Sequence, residues 1–476
     1  MNWLWRNSVI RRKIGRVLWY RMLFGVTHLL TWYGTVLCRE RSRGAVVHRP
    51  LGGSLDDVDL LDIGEVDAVL QADIGHLMRD DEDALRVVLN DGPLAGWTVS
   101  RSPDHRSLVL TRADQRLMTP PGGDLITLVQ GDPGEASRFL AIGRDDLAVL
   151  RDLVTAEWLV ERAGAAARAE RVTLVPGFGL RVGTLDVGLG WTLPFDRSEW
   201  PHRLTLMPEA WRIERIYRYR PLIYFTAFGD AAIMRQFALS LASLVTTGGY
   251  DGAIVVMTDK SADEIRALVP AGMRATLVVM PTLARDRLGY LAARLTIGRW
   301  PDAAAFQPLL YVDTDVIFDR PVTPMLRAIA LSDRLSAVVE PTELLDRSEF
   351  VGSGLLRADG CSPAAEPGFN FGILGIPNLR QFGAAVALMG RVLHNRLTLC
   401  GRDSLPYPDQ AIANYVAWRR QAVDTAILSA YVRLADHRAD PTGRLGVVHF
   451  CWAPTADLKA NLMALYLERL AQLDGA

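Results

Sequence analysis

The chain has 476 residues, more than one hydrophobic core usually holds, so two or three domains are expected. Apolar residues make up 49% and charged residues 22%, which excludes a disordered chain, a coiled coil and a collagen-like fibre. Lys plus Arg number 53 against 54 for Asp plus Glu, a net charge of -1, so no basic field is present to hold nucleic acid.

Residues 1–45 form an apolar and basic N-terminal segment. Arg11, Arg12, Lys13 and Arg16 precede a stretch from Val17 to Cys38, and Arg39, Arg41 and Arg43 follow it. Met22 to Cys38 contains no Asp, Glu, Lys or Arg and reaches the lower length limit for a spanning helix. Trp3, Trp5, Trp19, Tyr20, Trp32 and Tyr33 are rings suited to a membrane interface. An apolar helix in contact with a membrane surface is the expectation, alongside the alternative of an ordinary buried helix. No small-residue cleavage site follows it, which argues against a signal peptide.

Residues 46–209 read as a small α+β domain. Leu60, Leu61, Val66, Val69, Leu70, Ile74 and Leu77 have helical spacing. Past Gly92 and Pro93, short alternating runs predict strands at Trp97–Ser100, Ser107–Thr111, Leu125–Val129 and Arg138–Ile142. A helix is predicted over Asp145–Ala163, then strands at Val172–Val175 and Leu180–Leu185. Gly177, Gly179 and Gly183 miss the spacing of a dinucleotide fingerprint and are read as turn glycines, like the Pro120 to Gly123 cluster.

Residues 210–476 change to alternating strand and helix. Strands are predicted at Leu222–Thr226, Ala253–Met257 and Thr276–Met280, with helices at Ala231–Leu244 and from a Ser261/Glu264 capping box to Leu268. This grammar predicts an α/β, doubly wound sheet that binds ligands at the carboxyl ends of its strands. The run Leu309-Leu310-Tyr311-Val312-Asp313-Thr314-Asp315 takes an apolar strand into two carboxylates two residues apart. On a strand both point the same way, so they can present oxygens to one cation such as Mg²⁺ or Mn²⁺. By itself the triplet is a weak signal, because chance matches and solvated loop carboxylates are common.

Ala293-Arg294-Leu295-Thr296-Ile297-Gly298, followed by that run, resembles glycosyltransferase family eight. Gly368-Phe369-Asn370-Phe371-Gly372-Ile373-Leu374, Pro408-Asp409-Gln410 to Asn414, and Val448-His449-Phe450 resemble its later segments, in its order. The resemblance spans about Arg220 to Trp452. It implies a GT-A fold and retaining transfer of a hexose from a nucleotide sugar, usually a uridine one, to a glycan or lipid-linked acceptor. It also implies that Asp313, Asp315 and His449 hold Mn²⁺ (or Mg²⁺) and that Arg294 contacts the phosphates. Phe225, Thr226 and Asp230 would lie at the base and ribose. Asn370, Asp409 and Gln410 would surround the donor sugar, with Gln410 or Asp409 near the anomeric carbon as catalytic residues. The chain departs from the family at Trp452, where Gly is expected, and at Thr455, where Lys is expected; Lys459 stands four residues further on. These departures keep an inactive glycosyltransferase-like scaffold as an alternative. A sugar-nucleotide nucleotidyltransferase is a weaker one, because no glycine-rich basic loop follows Thr226.

Two compositional features bear on setting. Cys38, Cys361, Cys400 and Cys451 are too few and too scattered for a disulfide framework or zinc site, which suggests a reducing compartment. The last three are read as buried, small apolar residues. The basic residues are Arg except for Lys13, Lys260 and Lys459, a bias of GC-rich codons that points to a bacterial chain. The expectation is a cytoplasmic protein, peripheral or anchored at the inner membrane face, acting on a cell-envelope glycan.

Overall fold

The computed structural model describes residues 27–475, apart from positions 62, 67–68, 73–75, 80–84, 89–96, 102–106, 113, 163–164, 190–194, 208–213, 283, 285, 402–404, 406 and 436–439. The chain divides into two compact units between Ile216 and Tyr217, where a boundary near Glu209 was expected.

The first unit is dominated by antiparallel sheets, with a helix at Arg144–Thr155. Thr27–Thr31 pairs with Arg138–Gly143 on one side and with Thr35–Glu40 on the other. This corrects the expected N-terminal apolar helix over its described part, residues 27–38. Leu30, Val36 and Cys38 enter one core, whereas Leu29 and Leu37 enter another. A strand buried on both faces is apolar at every position and so imitates a short helix. The hairpin turns at Gly34, whose φ of 77° suits glycine and whose N–H donates to Thr31 O at 3.0 Å. Residues 1–26, including Trp3, Trp5, Trp19 and Tyr20, lie outside the described residues. No helix among the described residues is long and apolar enough to cross a membrane.

The helical reading of residues 56–91 is also corrected over its described part, and Ile74 lies outside the described residues. Ile63–Val66 and Val69–Ala72 are antiparallel partners, with Val66 directly opposite Val69. This pairing sets residues i and i+3 side by side as a helix does, and the spacing does not distinguish the two. The helix predicted to reach Ala163 stops at Thr155. Trp158–Arg162 and Ala165–Glu170 pair antiparallel instead, so strand pairing takes the last part of the predicted helix that is described. Cys400 is exposed, and Cys361 and Cys451 are partly buried, against the expected burial of all three.

The second unit carries a seven-stranded mixed sheet. Its elements are β1 (Leu222–Ala227), α1 (Ala231–Thr246), β2 (Ala253–Thr258), α2 (Ala262–Arg266), β3 (Thr276–Pro281), α3 (Arg287–Ala293) and β4 (Leu309–Val312). There follow β5 (Val316–Phe318), α4 (Thr323–Ala330), β6 (Leu335–Leu344), α5 (Ser353–Ala358), β7 (Pro367–Ile376), α6 (Leu379–Cys400) and α7 (Pro408–Arg420). The chain ends with β8 (Val423–Asp424), α8 (Ala426–Ser429), β9 (Val432–Leu434), β10 (Val447–His449) and α9 (Ala456–Asp474).

The strand order is β3-β2-β1-β4-β7-β6-β8. Strands β3, β2, β1 and β4 are parallel neighbours, and β7 is antiparallel to both β4 and β6. Every residue of β1 and β4 is buried, as their mostly apolar sequences favour. The Ser261/Glu264 capping box is present, opening a helix that ends at Arg266 rather than Leu268. A second sheet, β5-β10-β9, continues the chain beyond β4, and Phe450, Met463 and Tyr466 pack beneath it.

Candidate active site

Asp313 and Asp315 do not lie on a strand, as the i, i+2 argument assumed. They occupy the turn between β4 and β5. The Asp313 N–H donates to Gly372 O at 2.8 Å, and Asp315 O accepts from Phe450 N at 2.9 Å. These bonds tie the turn to β7 on one side and to the end of β10 on the other. In the β5–β10 pair His449 faces Val316, next to Asp315. The turn and the end of β10 thereby bring His449, distant in sequence, against the two neighbouring acids.

His449 Nε2 lies 3.1 Å from Asp315 Oδ1 and 3.9 Å from Asp313 Oδ2. One ligand atom from each of Asp313, Asp315 and His449 lies within 4.8 Å of the others. Two carboxylates and an imidazole form a donor set suited to a divalent first-row cation. Only glycine at 372 lets these ligands close on β7: a Cβ there would sit 2.2 Å from His449 Cε1 and 2.7 Å from Asp313 Oδ2. His449 Nδ1 has no hydrogen-bond partner among the described residues.

Arg294 holds the other side. Its guanidinium meets Asp313 Oδ1 at 3.1 Å and Asp409 Oδ2 at 3.3 Å, and it donates to Phe371 O at 3.2 Å. It also lies over the Tyr311 ring, 4.7 Å from the centroid. The fork is therefore engaged by protein oxygens, so Arg294 orients Asp313 and Asp409 in this state instead of standing free for phosphate. Tyr311 donates its hydroxyl to Asp313 Oδ1, and Thr226 Oγ1 lies 2.9 Å from the Tyr311 oxygen.

The two acids of the turn respond oppositely. Burial would raise the Asp315 carboxyl, but His449 and Lys459 outweigh it and hold the group well below the usual carboxylate range. Burial dominates at Asp313 and raises it, with Arg294 opposing and Asp315 adding to the rise.

A cavity of about 960 Å³ opens onto this cluster and is lined by Asp230, Arg294, Asp313, Asp315, Asn370, Asp409, Gln410 and His449, among others. Gln410 Oε1 accepts from Phe371 N–H at 3.2 Å, which leaves the amide NH₂ as a donor for a bound molecule. Asn370 accepts from Gly372 N–H at 2.9 Å and donates to Glu340 Oε2 at 3.1 Å. Asp230 caps α1 through the N–H groups of Ala232 and Ile233 while facing the cavity.

Two expected residues stand apart from the cavity. Phe225 is fully buried against Phe237, with ring centroids 5.5 Å apart, and its side chain belongs to the core. Thr226 reaches the cluster only through Tyr311.

Several site residues went unassigned in the sequence. Glu340 is buried, faces the cavity and has one oxygen, Oε1, without a hydrogen-bond partner among the described residues. Its burial pushes the carboxyl up, against the hydrogen bond from Asn370. The signal was present: Leu335-Ser336-Ala337-Val338-Val339-Glu340 is another apolar strand that runs into an acid. Phe350, Tyr407 and Trp452 are exposed aromatics on the cavity rim, and the Phe350 and Tyr407 rings lie 5.2 Å apart.

The departure at Thr455 has a structural reason. Thr455 is the N-cap of α9, accepting from Leu458 N at 3.3 Å. The first turn of that helix carries Lys459 back to the site, where its Nζ lies 2.6 Å from Asp315 Oδ2.

No protein-family model matches the chain, and no curated protein matches it. Among solved structures the chain is similar to the galactosyltransferase LgtC in complex with donor and acceptor sugar analogs, at 18% identity and a TM-score of 0.36, covering 51% of this chain and 95% of that one. It is likewise similar to an active-site mutant of LgtC, at 17% identity and a TM-score of 0.36 over the same shares of the two chains.

Proposed function

We propose that the protein is a GT-A, metal-dependent, retaining glycosyltransferase of the family-eight kind, moving a hexose from a uridine diphosphate sugar to a glycan or lipid-linked acceptor. The observation that carries this reading is the convergence of Asp313, Asp315 and His449 at the foot of a cavity beside the carboxyl end of β4. Asp313, Asp315 and His449 would hold Mn²⁺ or Mg²⁺, which supplies Lewis-acid stabilisation of a diphosphate leaving group.

The chain's own residues do the positioning. Arg294, Tyr311 and Thr226 fix Asp313, so no reorganisation of that carboxylate is needed when ligand arrives. The Gln410 amide NH₂ is placed to donate to a hydroxyl of the donor sugar. Asn370 aligns Glu340 on the same wall, where the free carboxylate oxygen can accept from a sugar hydroxyl. The exposed rings of Phe350, Tyr407 and Trp452 offer apolar faces at the mouth, where an acceptor would enter. Lys459 supplies a cation in the place left by Thr455, which favours an active enzyme over a decayed scaffold.

The test is turnover. The full chain is incubated with a panel of uridine, guanosine and adenosine diphosphate sugars, with Mn²⁺ or with a chelator, and release of nucleoside diphosphate is followed. Metal-dependent release from one donor, lost in Asp313→Asn, is the expected result. Equal release with and without chelator would refute the metal-dependent reading.

A further inference from the structure

Both oxygens of Asp315 are engaged within the protein. Oδ2 meets the Lys459 ammonium at 2.6 Å, and Oδ1 lies 3.1 Å from His449 Nε2. A divalent ion at the cluster needs an Asp315 oxygen, and one of the two is paired with a full positive charge. The Lys459 side chain is only 21% exposed, so little water is at hand to replace its contact with Asp315. Locally, Asp313, Asp315 and Asp409 are balanced by Arg294 and Lys459, leaving one net negative charge for an incoming dication to meet. Without Lys459 there would be two.

Arg294 and Lys459 differ in what they can do next. Arg294 is a planar fork bonded to three separate oxygens, whereas Lys459 is a point charge on a flexible stem with one ionic contact at Asp315. The lysine can leave Asp315 by rotating its side chain, provided another anion receives it.

We propose that Lys459 is a resident counter-cation that competes with the divalent metal ion for Asp315, so that tight metal binding requires an anionic ligand, such as a diphosphate, to take over the ammonium group. This rests on the reading of Asp313, Asp315 and His449 as a metal site. It makes metal and diphosphate bind cooperatively through a single side chain, and by linkage each strengthens the other equally.

The experiment is calorimetric titration of the full chain with MnCl₂ alone, on wild type, Lys459→Met and Lys459→Arg, with thermal melts to show that each is folded. Lys459→Met is expected to bind Mn²⁺ about tenfold tighter or more, because a unit charge a few ångströms away is removed. Lys459→Arg, which keeps the charge, is expected to stay near wild type. Inorganic pyrophosphate should then tighten Mn²⁺ binding in wild type more than in Lys459→Met. Unchanged or weaker binding in Lys459→Met, with wild type binding normally, overturns the competition and leaves the metal site standing. Tightening in Lys459→Arg as well would mean that charge is not the cause, and also overturns it. Folded proteins that all fail to bind Mn²⁺, with pyrophosphate or without, would remove the metal site and this inference together.

Discussion

Both units of this protein hold arginine against aspartate, in opposite settings. In the first unit the pairs lie at the surface: Arg41 on Asp59 at 2.9 Å and Arg181 on Asp186 at 2.7 Å, with side chains between 38% and 57% exposed. In the second unit Arg294 meets Asp313 and Asp409 with its own side chain only 8% exposed. The distances are similar, and the consequences are not. Surface pairs exchange one well-solvated state for another, whereas buried charges leave no good alternative when a partner is lost. Fixed buried charges are also what a site needs to act on an ionic ligand without first rearranging.

The sharpest way to break this contrast is Arg294→Met. It strands two carboxylates, and a loss of about 3–5 kcal/mol is expected by chemical denaturation. A loss no larger than that of a surface substitution would remove the distinction.

Next comes Gly372→Ala, which places a methyl against His449 and Asp313. We expect a cost of about 1–3 kcal/mol in stability together with loss of Mn²⁺ binding by calorimetry. Retained metal binding would show that the ligands do not close on the space above Gly372.

A smaller effect is expected at Glu340, whose carboxyl is raised by burial. A carboxyl with a folded value above its unfolded one destabilises the fold when ionised, and that penalty fades as pH falls through the folded value. Glu340→Gln should therefore raise the melting temperature at pH 7–8 and lose that advantage near pH 4. The opposite trend would place the charged form, rather than the neutral one, as the better fit.

Least affected should be Arg181→Gln in the first unit, with a melting temperature indistinguishable from wild type at low and high salt.

The two units also differ in how much of them could be read beforehand. In the second unit β1 and β4 are mostly apolar and separated by helices, the pattern expected of parallel strands buried on both faces. The clustering of Asp313, Asp315 and His449 is implied by the family resemblance, but not by i, i+2 strand geometry. The two acids converge because a turn is pinned to Gly372 and Phe450, which is a long-range fact invisible to local periodicity. In the first unit the signals misled. Val66 and Val69 look helical because they are cross-strand partners three residues apart, and the run through Leu29, Leu30, Leu37 and Cys38 looks like a helix because opposite faces of one sheet are both covered. Lys459 was legible as a residue but not as a contact, since its reach to Asp315 depends on where Thr455 starts α9.

The central claim is that a divalent metal and a nucleoside diphosphate share the cluster at Asp313, Asp315 and His449. Its most direct test is a thermal-shift titration of the full chain with uridine diphosphate, with and without Mn²⁺, in wild type and in Asp313→Asn plus Asp315→Asn. A ligand that binds only the folded state must raise its melting temperature. The account predicts a rise that needs Mn²⁺ and disappears in the double variant. A rise that is the same without metal, or that survives in the double variant, would contradict it.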